Sequence, residues 1–343
     1  MIAWIRAGAC LCLMAGAEMA LANGASYSAA EFSDMPGWER DDHGAALETF
    51  VSTCDLIRPT GWQATCDAAK SASDARGFLE SAFAPVRVED GKTPLFTAYY
   101  EPEIAASLTP DARFKFPIYA KPPELPSGKR WFTRAELENG PMLRGRGLEI
   151  AYLEDPVENF FLHVQGSGRL RLPDGSALRV GFAAKNGHKY RSVGREMARR
   201  GYLPEHRLSA GAIKSWVRKN PQRGREVLQH NQSFIFFREL KNLPADKGPL
   251  GAMNRPVTAM RSIAVDPDFV PLGAPVWVQT SGKMPVERLM IAQDTGSAIT
   301  GAQRADIFVG SGAAAGKIAG QVRDQGAMFV LMPKAMARTL TGS

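Results

Sequence analysis

Met290-Ile-Ala-Gln-Asp294-Thr-Gly-Ser-Ala-Ile-Thr-Gly301, closed by Arg304-Ala-Asp306-Ile-Phe308, sets two acidic residues in a glycine-rich turn between apolar runs. Short apolar runs bounded by Asp, Gly, Ser and Thr read as strands joined by a turn. A carboxylate presented by a tight turn beside a sheet is a common way for hydrolases and lyases to hold an acid or a base. Asp294-Thr-Gly-Ser is also what surrounds the catalytic aspartate of an aspartic protease. That chemistry needs two such aspartates sharing a proton, and the chain holds a single Asp-Thr-Gly, so a protease would have to dimerise. Asp294 and Asp306 as a carboxylate pair would instead suit a hydrolytic glycosidase.

The flanking sequence extends the strand-and-turn pattern. Val265-Asp-Pro-Asp-Phe-Val-Pro-Leu-Gly-Ala-Pro-Val-Trp-Val278 reads as strand, turn, strand, with Asp266 as a turn residue, and Met328–Met332 is a last strand. With only a short helix, Ala313–Ile318, among them, these strands predict a closed β-barrel. Leu95–Ile104 turns to β-branched and aromatic residues and is the first strand of the same unit. Before it the spacing is helical. Ala46, Leu47, Phe50, Val51 and Cys54 follow the capping residues Asp41 and Asp42, with further helices over Trp62–Ala69 and Ser73–Phe83.

From Pro102 to Gly181 prolines and glycines separate short runs, among them Phe160–Val164, Gly168–Leu172 and Ala177–Phe182, and Pro173-Asp-Gly175 marks a hairpin turn. This reads as a small β-barrel inserted after the first strand. Helices are expected over Tyr190–Gly201, Ser209–Lys219 and Gln222–His230, and Phe234, Phe236 and Phe237 as buried strand packing. The expected division is 1–22 as a signal peptide, 23–102 and 186–343 as the main domain, and 103–185 as the inserted domain.

In the N-terminal 22 residues, Arg6 supplies a positive end, Ala7–Leu21 is mostly small and apolar, and Ala20-Leu-Ala22 is a cleavage site. Ala7-Gly8-Ala9 before Cys10 lacks the leucine of a lipid-attachment site. The protein is therefore expected to be exported. An oxidising compartment permits a disulfide between Cys54 and Cys66, the two cysteines beyond the signal; the alternative is a pair of buried thiols. The five histidines are scattered, which offers no metal-ligand spacing; neither metal nor cofactor is expected. The net charge of +7 suits an acidic polymer or an anionic surface, and the compartment argues against nucleic acid.

Several segments in order, Phe96-Thr-Ala-Tyr-Tyr-Glu-Pro102, Phe161-Leu-His-Val-Gln-Gly-Ser-Gly-Arg-Leu170, Asn186-Gly-His-Lys-Tyr-Arg-Ser-Val-Gly194 and Asn231-Gln-Ser-Phe-Ile-Phe-Phe237, together with Asp266, Asp294 and Asp306, give the chain its likeness to a known family. It resembles the membrane-bound lytic transglycosylases A, which cleave peptidoglycan. The resemblance implies a mainly β fold with flanking helices, made of a double-psi β-barrel, a smaller inserted β-barrel and a glycan groove between them. It also implies cleavage of the β-1,4 bond between N-acetylmuramic acid and N-acetylglucosamine without water, leaving 1,6-anhydro ends. The protein would be a monomer in the periplasm, associated with the outer membrane, with glycan strands as its partner. Two departures stand out: Ser297 replaces the usual second glycine, and the family's lipid anchor has no clear counterpart.

Carried over residue by residue, the catalytic group is Asp306, acting first as acid and then as base. One carboxylate suffices when the nucleophile is the substrate's own hydroxyl, provided that apolar surroundings such as Ile307 and Phe308 or a nearby carboxylate raise its pKa. Asp294 either tunes Asp306 or holds the turn through backbone amides. Sugar rings need flat faces and polar edges, for which Thr97, Tyr99, Tyr100, Gln165, Gly166, Ser167 and Tyr190 are the candidates, with Glu101 as a further groove residue. A binding module that had lost activity would not need Asp306.

Overall fold

A computed structural model describes residues 24–58, 60–244 and 247–342; the expected signal peptide lies outside them. The strands are β1 (Ser26–Ala29), β2 (Phe83–Glu89), β3 (Leu95–Glu101), β4 (Glu103–Ser107), β5 (Phe116–Tyr119), β6 (Glu149–Leu153), β7 (Ser167–Arg171), β8 (Ala177–Lys185), β9 (Ile235–Glu239), β10 (Ser262–Val265), β11 (Pro275–Ser281), β12 (Val286–Thr295), β13 (Arg304–Ser311) and β14 (Arg323–Pro333). They form two sheets.

In the larger sheet six strands run β14-β11-β12-β10-β13-β3, and β3 pairs back to β14, closing the expected main barrel. Two of its pairings, β10–β12 and β13–β3, are parallel. The β1–β2 ribbon extends the sheet from β14. The sequence reading missed this ribbon because the third helix stops at Ala82 and Phe83 already begins β2. A C-terminal helix, Lys334–Thr341, was also not anticipated.

The N-terminal helices pack on this barrel as the apolar spacing predicted. Asp42 caps Ala45 N at 3.0 Å to start the helix His43–Cys54, and a Cys54–Cys66 disulfide joins it to the helix Trp62–Ala69. Phe50, Trp62 and Phe83 meet in tilted and edge-to-face contacts in the core beneath. Gln293, fully buried, donates its amide to Thr49 O, Ser52 Oγ and Thr53 Oγ1 on the first helix. Side chains alternate along a strand, so anchoring Gln293 inward turns Asp294 to the opposite face.

The smaller sheet runs β5-β6-β4-β7-β8-β9, and an Ala120–Phe237 bridge ties its two ends. Ile104, Ile118, Leu153, Leu170, Val180 and Phe237 fill its core. Two expectations change here. Phe160–Val164 is not a strand but part of a helix, Pro156–Gln165. Asp155 caps Val157 N, Pro156 occupies the first turn and Gly166, at φ 83°, ends it, so start and stop signals outweigh the aromatic run. Furthermore, β9 pairs with β8, so the smaller sheet does not end at Lys185. The helices Val193–Arg199, Ala210–Lys219 and Pro221–His230 pack through Val193, Met197, Val217 and Val227 on Val157 and Phe160 of this same unit. The expected division places these helices in the main domain, whereas their apolar faces pack on the smaller unit.

The chain crosses between the barrels twice, at β3–Pro102–β4 and after β9. Glu101, fully buried at the first crossing, accepts bonds from Arg169 Nε (2.7 Å), Arg179 Nη2 (2.9 Å) and Ser311 Oγ (2.9 Å). The same arginines donate to Pro244 O and Lys247 O on the return crossing. Glu101 is therefore an ion-pair anchor rather than the groove residue expected. A buried charge is tolerated only when paired and hydrogen-bonded in this way.

Candidate active site

Strand register assembles the site. Ala264 of β10 pairs with Asp294 of β12 on one side and with Asp306 of β13 on the other. Asp306 in turn pairs with Thr97 of β3, and Thr97 with Arg323 of β14. Residues paired across strands point to the same face, so Asp294, Ala264, Asp306, Thr97 and Arg323 form one row. Their neighbours Phe96, Ile263, Val265, Ala305 and Ile307 belong to the main hydrophobic core. The row therefore faces away from that core, beside an apolar patch of Tyr99, Val257, Ala264, Ile299 and Phe308.

The two carboxylates are held differently. Asp294 has both oxygens engaged: Oδ1 accepts from Ala252 N (3.0 Å) and Thr295 N (2.9 Å), and Oδ2 from Tyr99 Oη (2.9 Å). Asp306 Oδ1 accepts from Thr97 Oγ1 at 2.5 Å, and Arg304 Nη2 donates to that hydroxyl at 2.9 Å. Arg304 occupies one of the two lone pairs of the Thr97 hydroxyl, which donates its own proton to Asp306. Asp306 Oδ2 has no hydrogen-bond partner among the described residues.

Both carboxylates are half-buried, crowded by protein on most sides yet open to solvent. Burial disfavours the charged form and lifts both pKa values. Asp294 is pushed up to about 6, mainly by burial; its three hydrogen bonds oppose the shift and the charge of Asp306 adds to it. Asp306 is also raised, by burial against the opposing effects of the Thr97 bond and the Arg304 charge. Tyr99 is held well above its usual value by burial and by Asp294, so it donates its proton.

The other candidates divide. Gln165 Oε1 accepts from Tyr100 N (3.2 Å), which places Gln165, Gly166 and Ser167 against β3 where the barrels meet. Ser167 is buried in β7 opposite Gly181. The Tyr100 ring lies over Gly316 of the helix Gly312–Ala319, where an added Cβ would come within 2.8 Å of the ring. Asp266 accepts from Gly301 N (2.7 Å) and Asp268 N (3.2 Å), which fixes the turn between the two aspartates. Tyr190 lies apart, close enough to feel the charge of Arg134 in the smaller unit. Sequence reasoning missed Arg304 and Ala252. Arg304 was available from alternation, being two residues before Asp306 and so on its face; the contact of Ala252 depends on a long connection that carries no local signal. No cluster of metal-binding side chains occurs among the described residues.

Fold and site together define a two-barrel protein with an acidic row on the larger barrel, beside the joint with the smaller one. The chain belongs to the membrane-bound lytic murein transglycosylase A (MltA) family: residues 95–238 match the MltA specific insert domain and residues 261–332 the 3D domain. It is 35% identical over 248 residues to membrane-bound lytic murein transglycosylase A of Vibrio cholerae, covering 69% of this chain and 65% of that relative's length. The crystal structure of the membrane-bound lytic murein transglycosylase from Agrobacterium tumefaciens superimposes with a TM-score of 0.84 at 33% identity, over 92% of this chain and 99% of that one. That of E. coli MltA with bound chitohexaose does so with a TM-score of 0.69 at 28% identity, over 85% and 90%.

Proposed function

We propose that the protein is a peptidoglycan lytic transglycosylase that cleaves the β-1,4 bond between N-acetylmuramic acid and N-acetylglucosamine, with Asp306 as its single catalytic acid and base. The observation that carries this reading is the unequal use of the two carboxylates. Asp294 spends both oxygens on three donors, whereas Asp306 keeps Oδ2 free.

Asp306, its pKa raised by burial, delivers its proton to the leaving N-acetylglucosamine oxygen as the C1–O4 bond breaks. The muramyl C6 hydroxyl attacks C1, and the Asp306 carboxylate takes the hydroxyl proton, closing the 1,6-anhydro ring and restoring the acid. No water is consumed. Thr97, oriented by Arg304, steadies the carboxylate through both transfers. Asp294, Tyr99 and the amides of Ala252 and Thr295 keep the adjoining turn in place. Gln165 and Gly166 at the barrel joint would meet the glycan, with the buried Ser167 supporting them from β7; the similar E. coli MltA binds chitohexaose.

A two-carboxylate hydrolase fits less well. Strands lie about 4.8 Å apart, so Asp294 and Asp306, two strands apart, are spaced widely enough for an inverting pair. The occupied oxygens of Asp294 leave it poorly placed to activate water. An aspartic protease fits worse, since its aspartates must share a proton. We further propose export to the periplasm, membrane association and a monomeric state; among the described residues no helix is long and apolar enough to span a membrane. Digestion of purified peptidoglycan followed by mass spectrometry tests the reaction. Muropeptides one water lighter, with anhydro ends, are expected; reducing ends would establish hydrolysis, and no release would establish a binding module.

A further inference from the structure

A cavity of about 820 Å³ lies in the smaller unit, away from the two aspartates. We propose that it is a second binding site, for the peptide stems carried by the glycan; this rests on the peptidoglycan reading above. The volume falls within the usual range of ligand sites. Phe116, Tyr152 and Phe234 supply apolar and aromatic faces, and Lys115, Arg225 and Glu149 bring charges of both signs to the walls. A peptide stem has the matching chemistry: a short backbone with free carboxylates and, at its diamino acid, a free amine. A bare glycan lacks the peptide backbone and the amine and keeps only the lactyl carboxylates of its muramic acids, and an apolar ligand would make no use of the charged walls.

The position also fits. The helix Pro156–Gln165 runs from the cavity to the barrel joint: Pro156, Val157 and Asn159 line the cavity, and Gln165 at the other end holds Tyr100 N. Ten helical residues span about 15 Å. An extended peptide advances about 3.3–3.6 Å per residue, so four or five residues cover about 13–18 Å. A stem attached to a sugar at Gln165 can therefore reach the cavity. The helix is braced at the cavity wall itself, where the lining residues Arg218 and Asp155 bond each other, and Arg218 and Lys214 both bond Glu158. The cavity wall is thus fixed before any ligand arrives, which lowers the cost of binding.

The test uses the mature protein and two substrates, glycan strands with intact stems and the same strands stripped of peptide by an amidase. The variant Lys115→Glu/Arg225→Glu reverses two wall charges outside the catalytic row. KM for intact strands should rise about tenfold or more, with kcat unchanged and stripped strands turned over as by the wild type. Equal losses on both substrates, or no loss on either, would overturn the proposal. A second measurement is independent of the reaction: calorimetric titration of the protein with the free tetrapeptide stem. Saturable binding that Lys115→Glu/Arg225→Glu abolishes supports the site, whatever the products of peptidoglycan digestion. Absence of saturable binding overturns it even where anhydro products form.

Discussion

Asp294 and Asp306 are paired in register with the same residue, Ala264, one from each side. A single small side chain therefore separates the two carboxylates along the row. They are near enough for the charge of Asp306 to raise the pKa of Asp294, but not hydrogen-bonded to one another. Their division of labour follows from what surrounds each: three donors around Asp294, and one hydroxyl plus an open oxygen at Asp306.

Replacing the proton-transferring oxygen tests this directly. Asp306→Asn keeps the size and the acceptor for Thr97 but removes the titrating group. We expect kcat on peptidoglycan to fall by at least about 100-fold, within the range that general acid–base groups contribute, with glycan affinity nearly intact. Substantial residual turnover would refute the single-acid mechanism.

Thr97 is expected to act through Asp306. Its hydroxyl stabilises the ionised carboxylate and so lowers the Asp306 pKa. Thr97→Val removes that stabilisation, raises the pKa, and moves the basic limb of the pH–rate profile to higher pH, because the acid must begin protonated. The lost hydrogen bond to a charged group should also reduce kcat by about 10- to 100-fold. Thr97→Ser should restore both. A fall in rate without movement of the basic limb would show that Thr97 only supports the strand.

The main barrel was legible because its strands are short apolar runs, such as Leu289–Ala292 and Met328–Met332, and its turns are marked by Asp, Gly and Pro, as at Asp294–Gly301 and Val265–Val278. Phe160–Val164 misled because an aromatic run has high strand propensity, and only the flanking Asp155, Pro156 and Gly166 mark a helix. The placement of Ile235–Glu239 in the smaller sheet was hidden, since pairing with Ala177–Lys185 across three intervening helices depends on long-range contacts. Asp306 and Thr97 were recognised through family resemblance, while their common row emerges only from register. The role of Glu101 could not be read from its neighbours, because its arginine partners lie 68 and 78 residues away.

Those arginines make Glu101 the point at which both crossings between the barrels are held. Glu101→Ala would leave Arg169 and Arg179 partly buried without their shared partner. Removing one member of a buried ion pair typically costs about 3–5 kcal/mol, so thermal unfolding should occur at markedly lower temperature. Activity should fall as well, since the Gln165–Ser167 segment is positioned through the same joint. A variant with unchanged unfolding temperature would mean that the crossings are secured elsewhere.

Asp294 has a pH signature of its own. Its pKa, about 6 in the folded protein, exceeds the ordinary carboxylate value of about 3.9. The native state thus binds more protons than the unfolded chain between those values, and stability must fall as pH rises through that window. The favourable contribution is fully present below about pH 4 and lost above about pH 6. Asp294→Asn removes the titration, keeps an acceptor for Ala252 N and Thr295 N, and presents an amide that can donate to Tyr99 Oη. Its unfolding temperature at pH 7.5 should match or exceed that of the wild type, by up to about 2–4 °C, and should vary less between pH 4 and 6. A variant that is less stable at pH 7.5 and keeps the wild-type pH slope would place the ionising group elsewhere, and would make the ionised Asp294 carboxylate the stabilising form.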